Sequence, residues 1–220
     1  MCFGSQPYTG DPENDPNKGM RFVDPAYIAW LQAHFGTRES LVYPNGKLPF
    51  IRRGPTGGRE YAVGNFGLLP PDKSWIRKPA DGRKYYNARA ETLFEKPTYR
   101  EAARFRRAIV LVRAFYEYSE ADQEPGGKAR LYEISRDEGG PIPIASVWER
   151  HPQWGLSVSF VTTEAIRQVF EEAHHVRSPL ILESEQIDGW LDPDRTDAAA
   201  IQPFLKPWAG GKLRVRMKAR

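Results

Sequence analysis

The run Arg107 to Tyr118, RAIVLVRAFYEY, is rich in β-branched and aromatic residues and predicts a long strand. Shorter β-like runs accompany it at Leu48 to Ile51, Tyr61 to Leu69, Ala129 to Ile134, Ile142 to Trp148 and Leu156 to Thr163. The first two flank RRGPTGG at 52–58, a hairpin-like turn, and Gly126-Gly127 marks a second loop. Leu213, Val215 and Met217 alternate with Arg214, Arg216 and Lys218, so the segment 205–220 is expected to be a C-terminal strand with one basic face. A first helix is signalled by Asp24 as N-cap, Pro25 at the first position, a staple between Val23 and Ile28, and Gly36 as a stop. Tyr27, Ile28, Leu31 and Phe35 share its inner face. A second helix is predicted from Glu164 to about Ala173, burying Ile166, Val169, Phe170 and Ala173, and a short third one around Ile187, Trp190 and Leu191. Residues 4–19, dense in Pro, Gly, Asp and Asn, predict an irregular loop. With no repeat and no linker, the expectation is one α+β domain over residues 1–220, mainly antiparallel sheet with helices around it.

A chain of 220 residues can bury one substantial core. No run approaches the roughly 18 apolar residues of a membrane span. The first twenty residues lack the apolar stretch of a signal peptide, so a cytoplasmic protein is expected, near the nucleoid in a bacterium. The net charge is +4, yet the last fifteen residues carry six basic side chains and no acidic one. The rest of the chain is therefore slightly acidic, and the basic end serves either solubility or a polyanionic partner.

The lone cysteine, Cys2, excludes an internal disulfide and a Cys-rich zinc site, and no metal or cofactor is expected. Removal of Met1, favoured by a small second residue, would leave an amine and a thiol on adjacent carbons. Such a pair condenses with an aldehyde to an imine and then closes to a thiazolidine. An α-amino group titrates near pH ~7.7–8.0, so part of it is nucleophilic at neutrality. The ring-opened sugar of an abasic site is an aldehyde suited to a DNA-binding protein. The plain alternative is an incidental Cys beside the start codon.

Three further stretches carry possible chemistry. Trp75, Arg77, Lys78, Arg83 and Lys84 precede Tyr85-Tyr86-Asn87-Ala88-Arg89-Ala90-Glu91-Thr92, and such cation–aromatic interleaving suits single-stranded nucleic acid as well as an ordinary solvated loop. Glu117 in Phe115-Tyr116-Glu117-Tyr118 is either a partly desolvated carboxylate equipped to move protons or an edge-strand Glu in water. The tandem His174-His175 at a helix end has no third ligand nearby, so each is read as an acid–base group or a capping residue rather than a metal ligand.

Taken in order, these features resemble the SRAP (SOS-response-associated peptidase) family. Asn87-Ala88-Arg89-Ala90-Glu91-Thr92 is similar to its Asn-Ala-Arg-x-Glu-Thr motif, Phe115-Tyr116-Glu117-Tyr118 to its aromatic-x-Glu-aromatic segment, and His175-Val176-Arg177-Ser178-Pro179-Leu180 to its His-x-Arg-x-Pro-Leu segment. Gly67-Leu68-Leu69-Pro70 resembles the Gly-x-x-Pro turn before the DNA-binding loop. The resemblance implies a twisted, barrel-like, mainly antiparallel sheet with surrounding helices, and a groove for single-stranded DNA containing abasic sites. It implies a monomer without membrane contact, with cross-linking, lyase-like or autopeptidase activity. It makes Cys2 the nucleophile, Asn87 a holder of the N-terminal residue or the sugar, Glu117 the proton handler and His175 an acid or base. Arg89 and Arg177 would grip phosphates, Pro44 would be an apolar wedge, Trp75 a stacking residue beside Arg77, and Thr162 a backbone contact. Family members usually begin Cys-Gly-Arg, whereas this chain has Cys2-Phe3-Gly4, and the tandem Trp pattern of the loop is reduced to Trp75.

Three functions fit these residues: covalent capture of abasic DNA, a thiol hydrolase using Cys2, His175 and Glu117, and a non-covalent single-stranded DNA binder. Intact-mass measurement of the purified protein is expected to show a chain lacking Met1. A retained Met1 would deny the thiol its adjacent free amine and remove the first of these readings.

Overall fold

The computed structural model describes residues 4–8, 24–35, 41–74, 76–119 and 129–218. In chain order, strand β1 (Gly4–Pro7) is followed by helix α1 (Pro25–Phe35) and strands β2 (Lys47–Arg53), β3 (Arg59–Phe66) and β4 (Asn87–Arg89). Helix α2 (Arg100–Phe105) leads directly into β5 (Arg107–Tyr118), then β6 (Leu131–Arg136), β7 (Ile142–His151) and β8 (Gly155–Glu164). Helix α3 (Arg167–Ala173), β9 (Arg177–Pro179), α4 (Ile187–Leu191), α5 (Ala198–Ile201) and β10 (Leu213–Met217) complete the order.

β5 pairs antiparallel with β1, β2, β6 and β7. From β5 the hydrogen-bonded path runs through β2, β3, β8 and β7 and returns to β5, closing five strands into a barrel. Only β3–β8 and β4–β8 are parallel among the described pairings. β10 extends the sheet beyond β6, while β4 and β9 both attach to β8.

Side-chain alternation explains why β5 was legible. Ala108, Val110 and Val112 join one core with Leu48, Phe50, Phe66, Ile144 and Phe160. Ile109 and Leu111 join a second, with Tyr27, Leu31, Val147 and Trp190. A strand buried on both faces reads as an unbroken apolar run, and its predicted limits are those observed. The alternation resets once. Pro7 lies opposite Val112 but Gln6 opposite Ala114, so Arg113 is an extra residue, a β-bulge. Beyond it, Phe115 belongs to the first core, and Glu117 faces the same way, opposite Tyr132 of that core.

Several expectations are corrected. Residues 4–7 form a strand rather than loop, because β5 on one side and Val42 on the other satisfy their backbone. Residues 9–23, with Val23 and its staple, and Gly36 and Gly126-Gly127 lie outside the described residues. The predicted strand Tyr61 to Leu69 ends at Phe66, where Gly67 turns the chain. Glu164 closes β8 instead of opening a helix, and α3 starts at Arg167. Val169 and Ala173, four residues apart, then take the inner face, and Phe170, one step around the helix, is 57% exposed. The C-terminal strand covers 213–217 rather than 205–220, with Leu213 buried and Met217 exposed. At the start of α1 the Asp24 carboxylate accepts from the Ala26 N–H (2.8 Å) and from the Tyr61 hydroxyl, and the Tyr61 bond holds that carboxyl below its ordinary range. None of the described helices is long and apolar enough to cross a membrane.

Gly67 connects the barrel to the segment that leads to β4. Its φ is +128°, its N–H donates to Val158 O (2.9 Å), and a Cβ there would lie 2.2 Å from the Gly82 carbonyl oxygen. Gly67→Ala is expected to lower unfolding free energy by more than about 1 kcal/mol, read as a fall in urea midpoint at unchanged slope. An unchanged midpoint would show that the Gly67–Gly82 contact is not needed.

Candidate active site

Glu117 sits near the end of β5 with its side chain fully buried, and His175 Nε2 lies 3.2 Å from its Oε2. The bulge at Arg113 turns Glu117 to this side. A left-handed turn delivers the histidine: His174 caps α3 with φ +50° and stays exposed, while the next residue swings inward and is buried. Of the two sequence alternatives for Glu117, the buried one holds. An imidazole against a carboxylate, away from water, is an arrangement that orients the ring and passes a proton between two groups.

β1 begins at this pair. Gly4 lies opposite Tyr116, one residue before Glu117, and Ser5 exchanges both backbone hydrogen bonds with Val42 (3.0 and 2.7 Å). At Gly4, a Cβ would stand 3.1 Å from Leu41 Cδ1 and 3.3 Å from Val42 O, so the packing here matches a residue without a side chain. Cys2 lies outside the described residues, as does Trp75.

A second group gathers on the β4–β8–β9 ladder. Asn87 stands beside Phe160, Arg89 beside Thr162, and Thr162 opposite Pro179. The half-buried Tyr99 hydroxyl, its pKa raised by desolvation, donates to the Asn87 carbonyl (3.1 Å). Arg177 holds Glu91 with both terminal nitrogens (2.6 and 3.0 Å) and also donates to the Thr162 carbonyl (2.8 Å). These bonds keep the Glu91 carboxyl below its ordinary range. A phosphate reaching Arg177 therefore has to compete with Glu91, and the Thr162 carbonyl already has a donor. Arg89 is exposed, as are Arg77, Lys78, Arg83 and Lys84 in the segment before β4. Pro44 is half-buried in the 43–46 turn, whose Asn45 has φ +77°, and the Arg77 N–H donates to Asp81 (2.8 Å).

The structure thus joins Glu117 to His175, and Thr162 to Arg177. Pro44 and Arg77 stand on two different loops. Sequence reasoning assigned no role to Glu91, Tyr99 or Gln6. Only Glu91 carried a signal, its place inside the Asn87–Thr92 motif. Among the described residues no group of three or more His, Cys, Asp or Glu is arranged to hold a metal ion.

The family model for SOS response associated peptidase (SRAP) matches residues 29–218. The chain belongs to the SRAP family. This SRAP protein is similar to YoqW of Bacillus subtilis, named an abasic site processing protein, with 31% identity over 143 residues, 65% of this chain and 62% of YoqW. It is similar to YoaM of the same organism, also named an abasic site processing protein, at 31% over 144 residues, 65% of this chain and 61% of YoaM. The match thus spans about three-fifths of the length of these relatives. A crystal structure of a protein from Bacteroides thetaiotaomicron shares the fold with TM-score 0.75 and 24% identity, over 98% of this chain and 91% of that one. One from Bordetella bronchiseptica does so with TM-score 0.73 and 24% identity over the whole of both chains. The expected SRAP-type α+β fold, a barrel-like and mainly antiparallel sheet with surrounding helices, is the observed one.

The Glu91–Arg177 pair has a definite pH dependence. The folded carboxyl titrates below the unfolded value of about 4.3, so the pair stabilises the protein above that pH and its contribution is lost as pH falls through the folded value. Glu91→Gln is expected to cost about 0.5–1 kcal/mol at pH 7, and the difference from the parent to shrink as pH drops below about 4. A gap that persists unchanged in acid would mean that ionised Glu91 contributes nothing.

Proposed function

We propose that this SRAP protein processes abasic sites by binding single-stranded DNA and cross-linking covalently to the lesion through Cys2. The observation that carries the reading is the buried Glu117–His175 contact, 3.2 Å, at the point where β1 begins. At most about 7 Å of extended chain separates Gly4 from Cys2, which keeps the aminothiol within reach of such a pair. The names of YoqW and YoaM support abasic DNA as the substrate.

The chemistry needs proton transfers at three points. Opening the sugar hemiacetal takes a proton from its hydroxyl and returns one to the ring oxygen, releasing the aldehyde. The α-amine of Cys2 adds to that carbon and expels water, giving an imine. The thiol then adds to the imine carbon, its proton passing to nitrogen, and the thiazolidine closes with one water lost overall. Glu117 is suited to the first two transfers, with His175 as the second acid or base near the sugar hydroxyl. Asn87 would hold the N-terminal residue or the sugar. Arg89 and Arg177 would contact phosphates, Thr162 would present backbone, and Pro44, Trp75 and Arg77 would meet bases and backbone.

A thiol hydrolase built on Cys2, His175 and Glu117 is the second reading, favoured by the peptidase in the family's name. The protein should form a heat-stable adduct with single-stranded DNA carrying an abasic site and none with intact DNA. Cys2→Ala should abolish it, and Glu117→Gln should slow it by about 10²-fold. Acetylating the α-amine should block the adduct, whereas a hydrolase needs only the thiol. Full adduct yield from Cys2→Ala would overturn the thiazolidine route, and salt-sensitive binding without any adduct would leave a non-covalent binder.

A further inference from the structure

Gln6 is buried in β1, where it faces with Ala114 and Tyr116 on the side of the sheet away from Glu117, and none of the chemistry above uses it. Its Oε1 accepts from Arg113 Nη2 (2.8 Å) and Arg113 Nε (3.2 Å), and lies 3.2 Å from the Tyr116 hydroxyl. That hydroxyl has one proton, and Glu133 Oε2 stands closer to it, at 2.6 Å. The Arg113 fork thus grips Gln6 with two nitrogens. Lys218 of the C-terminal segment donates to the same Glu133 oxygen (3.2 Å), so the cluster fastens β1, β5, β6 and the end of the chain together.

Arg113 is the bulged residue of β5, the extra one that reverses which face later side chains take. Without it, the alternation that sends Val110 and Val112 into the first core would turn Glu117 to the opposite face. β1 is only four residues long, and Pro7 has no N–H to give to the ladder. Short strands with so few ladder bonds slip easily, and a one-residue slip exchanges the two faces. A buried side-chain acceptor gripped by the bulge residue opposes both changes at once.

We propose that Gln6 is a positioning residue that, through Arg113, locks the register of β1 and the bulge that turns Glu117 toward His175. In the covalent reading, on which this inference rests, the lock sets where the N-terminal aminothiol meets its acid–base pair. It gives a strand with little β-propensity a polar side-chain anchor, next to the apolar seat of Tyr8 in the second core.

The test compares the parent with Gln6→Leu, which keeps approximate volume and removes the acceptor, and Gln6→Glu, which keeps an acceptor for Arg113. Single-turnover cross-linking to abasic single-stranded DNA at saturating DNA should fall by about 10²-fold in Gln6→Leu. The half-saturating DNA concentration should change by less than about two-fold, and Gln6→Glu should recover most of the rate. Hydrogen exchange should show the Ser5 and Tyr8 amides, bonded to Val42 and Leu111, losing protection in Gln6→Leu while β7 amides keep theirs. Parental cross-linking in Gln6→Leu would overturn the lock, as would a rate loss that Gln6→Glu leaves unrestored. A parent that cross-links nothing would instead overturn the covalent reading, a result separable from the other two.

Discussion

β5 has to satisfy twelve residues of backbone, and no single neighbour does so. Its first half is held by β7 and β2, and its second by β6 and β1. The change of partners occurs at Arg113, where one residue is left over. Barrel closure and site geometry therefore share one cause. The strand that completes the five-membered ring continues past it, and the bulge at the exit turns a carboxylate toward the core side. There His175 meets it. Burial of such a pair carries a large desolvation cost unless each group answers the other, so the contact constrains the turn after α3 as firmly as it constrains β5.

What could be read from sequence followed from how much of each element's signal was local. Arg107 to Tyr118 was found with its true limits, because burial on both faces leaves few polar interruptions. Asp24-Pro25 marked the start of α1 through a cap that the structure shows. β1 was missed, since Gly4-Ser5-Gln6-Pro7 has almost no strand propensity and its pairing is made entirely by residues far along the chain. Ile166, Val169 and Ala173 are buried as expected, whereas Phe170, on the edge of that face of a helix only seven residues long, is turned out to solvent. In the candidate site, the resemblance to the family's segments supplied Glu117 and His175, while the structure supplied the distance between them. The resemblance gave no hint that Arg177 is engaged by Glu91, a partner 86 positions away.

The two halves of the site differ in electrostatic character. Glu117 and His175 are out of water, where geometry rather than ionic strength governs their interaction. Arg77, Lys78, Arg83, Lys84 and Arg89 are in water, where the reach of their field is set by salt. Arg177 lies between these cases. Its side chain is mostly buried, yet its partner Glu91 is half exposed, so the pair sits at the boundary where a phosphate would have to displace a carboxylate from one guanidinium.

Under the covalent reading, that competition has a use. A reversible binder must draw its selectivity from contacts, and contacts to phosphate are the same at damaged and intact nucleotides. A protein that reacts with an aldehyde draws its selectivity from chemistry, because intact deoxyribose offers no carbonyl to the amine. Tight non-covalent binding would then be a hindrance, holding the protein on undamaged strands. A carboxylate on Arg177 would weaken the general grip and leave the reactive step untouched. Residence need last only until the imine forms, and the thiazolidine ring supplies the rest.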